Sequence, residues 1–584
     1  VLYPQRTRTR GLFDLNGVWE LARELEQIDY SSGFRAEKKV AVPGSFNDLY
    51  VEEEFRTWMK GVWYSRRFFV QDLFENERIV LHFGSVSYRA EVYLNGKRLG
   101  DHETGYTPFE FDVTDAVSFK EENLLCVRVE NILSAETVPM GNLKNGQEPG
   151  QVSGQHPDVP FDFFPYAGIH RPVSIYTTGK TAWLDKIFVE TTVKGSVGKL
   201  DLRGRVFGSA GRVSVRILET GASVEIDVAS GTFESSLDIE NVKLWDVYQP
   251  NLYHACVRVQ DTNGKLLDEY TQRFGVRTIK IAGSRLLLNG KPVYLQGFGR
   301  HEDFPIIGKG LNHSVNIRDH ELLKWINANS YRTTHYPYSE ELIQLADEQG
   351  ILLIGEAPAV SMNFDYVTER TLEVHKQALA ELIERDRNSP SVIMWSVANE
   401  ATSNREDSKR YFKALADLVR SLDSTRPITV ATCKGADDLV MEYFDVVSVN
   451  LYPGWYHLSG LITAAQEDMR GMLEKMYTKY QKPIFVTEFG ADTIAGMHSL
   501  PAEQWSEEYQ TELILGLIDV MREYDFVIGE HVWNFADFRT AQNFTRVGGN
   551  KKGVFTRERQ PKMVAHFLRK KWEIPRYKPS DTKV

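Results

Sequence analysis

The 584-residue chain has only three cysteines, Cys126, Cys256 and Cys433. They are too few and too scattered for a disulfide framework or a Cys-based zinc site, and they read as small buried hydrophobes. No stretch approaches the roughly 20 apolar residues of a membrane span. The first residues, VLYPQRTRTRGLFDLNG, are charged and lack the run of about 7–15 apolar residues that a signal peptide needs. The expectation is a soluble cytoplasmic protein with no membrane partner. A basic excess is missing too: 69 Lys+Arg face 80 Asp+Glu, a net charge of −11. This speaks against a nucleic-acid partner, which requires a basic footprint.

What the chain does have is core-forming material. Hydrophobic residues make up 42% and aromatics 12%, enough to bury a substantial core and to exclude large-scale disorder. At about 100–200 residues per domain, the length predicts roughly three to five domains or a larger barrel.

The first half is written in short alternating runs such as Ile79–Phe83, Ala90–Leu94, Leu124–Val129 and Val173–Thr177, the period-2 pattern of half-buried strands. Asn95-Gly96 lies between two such runs and suits a tight hairpin, whose two central positions need φ > 0. A second block, residues 179–275, repeats the pattern with about seven short strands and suggests an immunoglobulin-like β-sandwich. From residue 276 to 584 the grammar changes. Eight apolar runs (Val293–Gln296, Tyr331–Thr333, Ile351–Ile354, Val392–Val397, Ile428–Ala431, Val446–Val449, Ile484–Thr487 and Val527–Trp533) alternate with amphipathic segments. Those segments include Asp319–Asn327, Ser339–Gln349, Arg370–Arg385 and Glu406–Leu422. Eight β/α units predict a (β/α)8 TIM barrel, whose chemistry sits where the strands end.

Two glutamates stand at such ends. The fourth run leads into Ala398-Asn399-Glu400 and the seventh into Thr487-Glu488. A closed barrel brings these strands to opposite sides of one mouth, where paired carboxylates are what glycoside hydrolysis requires. Polar and aromatic residues crowd the same end: Arg300-His301-Glu302, His335-Tyr336, Asn450-Leu451-Tyr452, Tyr456 and Trp533-Asn534. Rings suit the apolar faces of a sugar, and Asn, His and Arg suit its hydroxyls. Other motifs fail. Gly297-Phe298-Gly299 has Glu302 where a dinucleotide fingerprint needs its third glycine, and no histidine spacing specifies a metal. Hydrolysis by two carboxylates needs no cofactor.

These residues resemble a known family. Asn329-Ser330-Tyr331-Arg332-Thr333-Thr334-His335-Tyr336-Pro337, and Asp386-Arg387-Asn388 followed by Ser391 to Glu400, are similar to the signatures of glycoside hydrolase family 2. Ser389 departs from the pattern, where His, Arg or Tyr is usual. The resemblance spans essentially the whole chain and implies a jelly-roll sugar-binding-type domain over 1–178, ahead of the sandwich and the barrel. It also implies a homo-oligomer, dimer or tetramer.

Within the family, Gly549-Asn550-Lys551-Lys552-Gly553 resembles the Asn-x-Lys-Gly motif with which β-glucuronidases of the bacterial type hold the sugar carboxylate. An anionic C6 cannot be buried cheaply without a cation; Lys552 supplies a charge and Asn550 a hydrogen bond. The resemblance implies Glu488 as nucleophile, Glu400 as acid/base and Tyr452 as support of the nucleophile. It implies Asp162, His301, Asn399, Tyr456, Trp533 and Arg546 as sugar contacts, with Asp162 reaching in from the N-terminal domain. The implied substrate is a small-molecule or oligosaccharide β-D-glucuronide, cleaved with retention. The segment Ala357–Leu372 is shorter than in many relatives, which implies an open mouth. Other readings stay open at this point: β-galactosidase, β-mannosidase or β-galacturonidase activity, or a catalytically silent glycan-binding protein.

Overall fold

A computed structural model of the chain describes residues 1–25, 28–142, 157–228, 231–574 and 576. The first body is a β-sandwich of two antiparallel sheets. One has six strands in the order Lys38–Val42, Gly17–Arg23, Val62–Phe68, Asn123–Glu130, Arg89–Leu94, Lys97–His102. The other has four, in the order Leu12–Asp14, Val173–Gly179, Glu77–Phe83, Phe109–Asp112. Trp19, Tyr64, Leu81, Phe83, Val127 and Ile175 belong to the core they share. Asn95 and Gly96 join the last two strands of the larger sheet with φ of 52° and 79°, the mirror-image turn that matches strand twist.

The second body has a three-stranded sheet (Ala182–Lys194, Val197–Gly208, Thr232–Ile239) against a four-stranded one (Ser223–Asp227, Arg212–Ile217, Tyr253–Gln260, Leu266–Phe274). Burial alternates cleanly along Val197–Gly208, so Leu200, Leu202 and Val206 face the core while Lys199, Arg203 and Arg205 face solvent. This is the immunoglobulin-like unit expected from the period-2 runs.

The third body is a closed barrel of eight parallel strands: β1 (Leu295–Arg300), β2 (Ser330–Thr333), β3 (Leu352–Glu356), β4 (Val392–Asn399), β5 (Ile428–Thr432), β6 (Val446–Asn450), β7 (Ile484–Glu488) and β8 (Val527–Val532). Helices follow as α1 (His313–Trp325), α2 (Glu340–Gln349), α3 (Glu369–Asp386), α4 (Glu406–Leu422), α5 (Ile462–Tyr480), α6 (Glu507–Met521) and α7 (Met563–Trp572). All eight expected strands are present. The α1 segment begins at His313 rather than Asp319, because Asn312 caps it by accepting from Val315 N (3.1 Å) and its first turn is polar. Between β5 and β6 there is no α-helix, only 3₁₀ turns at Gly435–Asp437 and Met441–Tyr443. Asp438 explains this in part: its side chain accepts from Val440 N (2.8 Å) and turns the chain back.

A small sheet (Ile279–Ala282, Arg285–Leu288, Lys291–Pro292) packs Leu286 and Leu288 against the inward residues Leu295, Leu352, Met394, Phe485 and Ile528. That plugs the end of the barrel where the strands begin. At the opposite end, the segment after residue 157 leaves the first sandwich and lies on the barrel loops. Phe164 N donates to Arg539 O (2.9 Å), and Asn131 Nδ2 anchors the segment through Pro165 O (2.7 Å).

The reading of all three cysteines as buried needs one correction. Cys126 and Cys256 are buried, but Cys433 is exposed. It stands just beyond β5, where the chain has left the barrel wall for a mouth loop.

Candidate active site

Each catalytic candidate is set by a strand end. Glu488 is the last residue of β7 and is 4% exposed. Its Oε2 accepts the Tyr452 hydroxyl at 2.7 Å, and its Oε1 accepts Arg332 Nη2. Arg332 projects from β2 and is wholly buried; its Nη1 also donates to both oxygens of Glu356, at the end of β3, at 2.8 and 2.7 Å. Glu356 accepts in addition from His335 Nδ1 (2.7 Å) and Ser396 Oγ (2.7 Å). One guanidinium thus sits between two carboxylates.

Glu400 follows β4 in the left-handed region, with φ of 52°, a conformation a non-glycine residue keeps only where its surroundings enforce it. Here Glu400 N donates to Ala431 O at 2.8 Å. The Glu400 side chain accepts from Asn450 Nδ2 (2.8 Å), and the same amide donates to Asn399 Oδ1 (3.0 Å). Asn450 is fixed in turn by Thr487 Oγ1, which donates to its Oδ1 at 2.7 Å. Strands β4, β6 and β7 therefore lock the position of the Glu400 carboxyl.

Burial pushes the Glu400 carboxyl above the usual carboxylate range. Burial also pushes Glu488 up, to about 8; Arg332 pulls the other way and the Glu400 carboxylate adds to the rise. Burial thus raises both carboxyls, and the Glu400 charge opposes ionisation of Glu488. Two donors on Glu488 against one on Glu400 favour leaving the negative charge on Glu488. Burial alone would raise Glu356, but Arg332 and His335 outweigh it and hold that carboxyl low.

Trp533, just past β8, stacks on His335 with centroids 5.2 Å apart and meets His301 edge-on at 5.4 Å. A Cβ on Gly299 would stand 2.5 Å from the Trp533 ring, so glycine is required for that approach. Phe163 from the N-terminal segment closes on His301 at 5.2 Å and His335 at 6.0 Å.

The other wall is built on the loop after β8. Gly549 (φ 111°) lets the loop lie on Phe538, whose carbonyl would be 2.4 Å from an added Cβ. Lys552 Nζ pairs with Asp492, and both side chains are 0% exposed. The ammonium also donates to the Tyr456 hydroxyl at 3.2 Å. Arg546 holds Asp162 through Nε (2.9 Å to each oxygen), Tyr456 through Nη2 (2.8 Å) and Asp492 through Nη1 (3.5 Å). Asn550 Nδ2 donates to Asp162 Oδ2 at 2.8 Å, and Asn550 Oδ1 accepts from Lys552 N at 3.0 Å. Tyr452 and Tyr456, with rings 5.2 Å apart, join this wall to the carboxyl pair.

The eleven positions singled out in the sequence thus meet at one end of the barrel. Three further residues of the site did not stand out: Arg332 as the counter-ion of Glu488, Glu356 as its second carboxylate, and Asp492 as the partner of Lys552. Arg332 and Glu356 end neighbouring strands, which barrel order alone places side by side. Asp492 carries no local signal. The short segment after β3 folds flat: Ser361 N donates to Asn399 O (2.9 Å), and Phe364 packs on Tyr411 and Phe412.

Comparison with known proteins fits this architecture piece by piece. Residues 12–179 match the sugar binding domain of glycosyl hydrolases family 2, residues 173–277 match a second model of that family, and residues 279–575 match its TIM barrel domain. A β-glucuronidase of Paenibacillus borealis is 40% identical over 590 residues, covering 98% of each chain. Among solved structures, a β-glucuronidase of an uncultured Clostridium superposes with a TM-score of 0.92 at 41% identity, covering 98% of this chain and 99% of that one. The Ruminococcus gnavus β-glucuronidase in complex with D-glucuronic acid gives 0.92 at 36% identity, over 98% and 99% of the two chains. Two sandwiches and a barrel in this order, matched from residue 12 to 575 and over nearly the full length of these relatives, make the chain a member of glycosyl hydrolase family 2.

Proposed function

We propose that the protein hydrolyses β-D-glucuronides to D-glucuronic acid and an aglycone alcohol with retention at the anomeric carbon. Glu488, oriented by Tyr452 and Arg332, attacks C1. Glu400 protonates the glycosidic oxygen and then takes a proton from the water that frees the sugar. His301, Asn399, Trp533 and Asp162 frame the sugar ring. The sugar carboxylate is held by Lys552 and Arg546, the two cations that converge on the Tyr456 hydroxyl.

The observation that carries this reading is the coincidence, in one cleft, of a strand-end carboxyl pair with a buried lysine and an asparagine on the facing wall. Asp492 already neutralises that lysine, so what the lysine offers a substrate is a charged hydrogen-bond donor rather than an unpaired charge. A glucuronide makes its burial useful, since charge-assisted hydrogen bonds are worth about 1.5–3 kcal/mol each. The relatives above, β-glucuronidases along their whole length, support the same substrate. The short segment Ala357–Leu372 belongs to this reading as the feature that favours a more open mouth. Assembly as a dimer or tetramer belongs to this reading and is tested by sedimentation velocity.

The decisive experiment compares kcat/KM for an aryl β-D-glucuronide and the matching aryl β-D-glucoside. A preference of about a hundredfold, roughly 3 kcal/mol, that collapses in Lys552→Ala supports the assignment. Equal rates on both substrates would return the site to a neutral-sugar activity of the family.

A further inference from the structure

His301, like Arg332 at its Nε, carries a buried polar atom with no partner. The side chain is 5% exposed, and its Nε2 has no hydrogen-bond partner. The other nitrogen, Nδ1, lies 3.1 Å from the Tyr336 hydroxyl. That hydroxyl already accepts a hydrogen bond from Glu302 N at 3.2 Å. Tyr336 is itself fully buried, so its hydroxyl proton needs an acceptor, and His301 Nδ1 is the one at hand. Lys309 strengthens this donor. Its Nζ lies 3.8 Å from the Tyr336 ring centroid, boxed by Phe163 at 4.5 Å and Tyr106 at 5.1 Å. A cation over a phenol ring draws electron density from it and makes the hydroxyl a better donor; burial lowers Lys309 to about 7, so this help is greatest below neutral pH.

On this geometry we propose that Tyr336 is a positioning residue: it donates to His301 Nδ1, fixes the Nε2–H tautomer and aims that hydrogen-bond donor at a hydroxyl of the bound sugar. This rests on the sugar-pocket reading given above. Burial, with His335 and Lys309 nearby, holds His301 well below the usual histidine range, so the ring carries a single proton whose place Tyr336 decides. His335, 5.6 Å away, makes the opposite choice. Its Nδ1 faces the Glu356 carboxylate at 2.7 Å, and since a carboxylate only accepts, Nδ1 carries that proton. Adjacent imidazoles thus hold opposite tautomers, each set by the group behind the ring.

The test is a double-mutant cycle on whichever glycoside the parent enzyme hydrolyses. Tyr336→Phe keeps the ring and the lysine box and removes only the hydroxyl. It should lower kcat/KM about tenfold, the value of one oriented hydrogen bond, with Tm little changed. In a His301→Ala background the same change should cost less than about twofold, because its effect runs through the imidazole. A full loss persisting without His301 would mean that Tyr336 merely shapes the loop through Glu302, and the proposal would fail. The second readout needs no substrate. In protein labelled with ¹⁵N-histidine, the His301 signals, identified by their absence in His301→Ala, should show protonated Nε2 and bare Nδ1 in the parent and a mixture in Tyr336→Phe. Protonated Nδ1 in the parent overturns the assignment, even if the protein proves to be a glucuronidase. Loss of glucuronide turnover as the parent's activity would sink the substrate reading and leave this result standing.

Discussion

Lys552 and Asp492 form an ion pair with no solvent exposure on either side chain. The wall that would recognise a substrate carboxylate is therefore already internally neutralised. Breaking such a pair from one side leaves a lone buried charge, at a cost of about 3–5 kcal/mol, whereas replacing both partners with apolar groups is often neutral. Asp492→Asn should accordingly lower Tm more than the double replacement Lys552→Met/Asp492→Leu, although both lose glucuronide turnover. Thermal melts of the two variants check this; equal destabilisation would mean that the pair contributes little to the fold.

The Tyr452 hydroxyl donates to Glu488 Oε2 at 2.7 Å. Tyr452→Phe removes a hydrogen bond to a charged group, worth about 1.5–3 kcal/mol. We expect kcat to fall roughly 10- to 100-fold with KM nearly unchanged, as measured by steady-state kinetics on an aryl glucuronide.

Glu400→Ala should reduce turnover by about 10²–10⁴ for a poor leaving group, the usual worth of general acid–base catalysis, and far less for a good one. Azide should then restore rate and yield the β-glucuronyl azide. Glu488→Ala with azide should yield the α-azide instead. Product NMR reads the two stereochemistries, and a reversed pattern would exchange the two roles.

The active form carries one proton on the Glu400/Glu488 pair. Burial raises both carboxyls, and the Glu400 charge adds to the rise of Glu488 to about 8, so kcat/KM should be bell-shaped. The alkaline limb, where the last proton leaves the pair, should fall near pH 8. An activity that keeps rising past pH 9 would contradict the shared proton.

His375 is buried against β4, its Nε2 donating to Val397 O at 2.8 Å and its Nδ1 3.0 Å from the Tyr411 hydroxyl. Burial lowers its pKa to about 4. Between an unfolded value of about 6.5 and that folded value, the unfolded chain binds the extra proton. Stability therefore rises with pH across this window and is lost as pH falls through it, by on the order of 3 kcal/mol at the acid end. Tm measured from pH 7 to 4 should decline, and His375→Gln should flatten the decline.

The barrel was legible in the sequence because each strand is buried at both faces and writes an unbroken apolar run; Val446–Asn450 and Ile484–Glu488 end within a residue of where the pattern stops. Glu400 and Glu488 followed from those ends. The missing helix after β5 did not, since a turn-rich segment and a short helix differ little in composition. The Arg332–Glu356 pair was hidden for another reason: each residue has an ordinary local pattern, and only the adjacency of β2 and β3 joins them. The place of Asp162 rested on resemblance alone, because the segment around it has no periodicity.

Asp162 and Arg546 are 384 residues apart in the chain and share three contacts of 2.8–2.9 Å inside the pocket. The sugar site is thus sewn from nearly opposite ends of the polypeptide. A chain still emerging during synthesis holds the first half of that seam and has nothing to join it to until the last barrel strand and its loop are complete. Turnover then reports that the N-terminal sandwich has docked on the barrel.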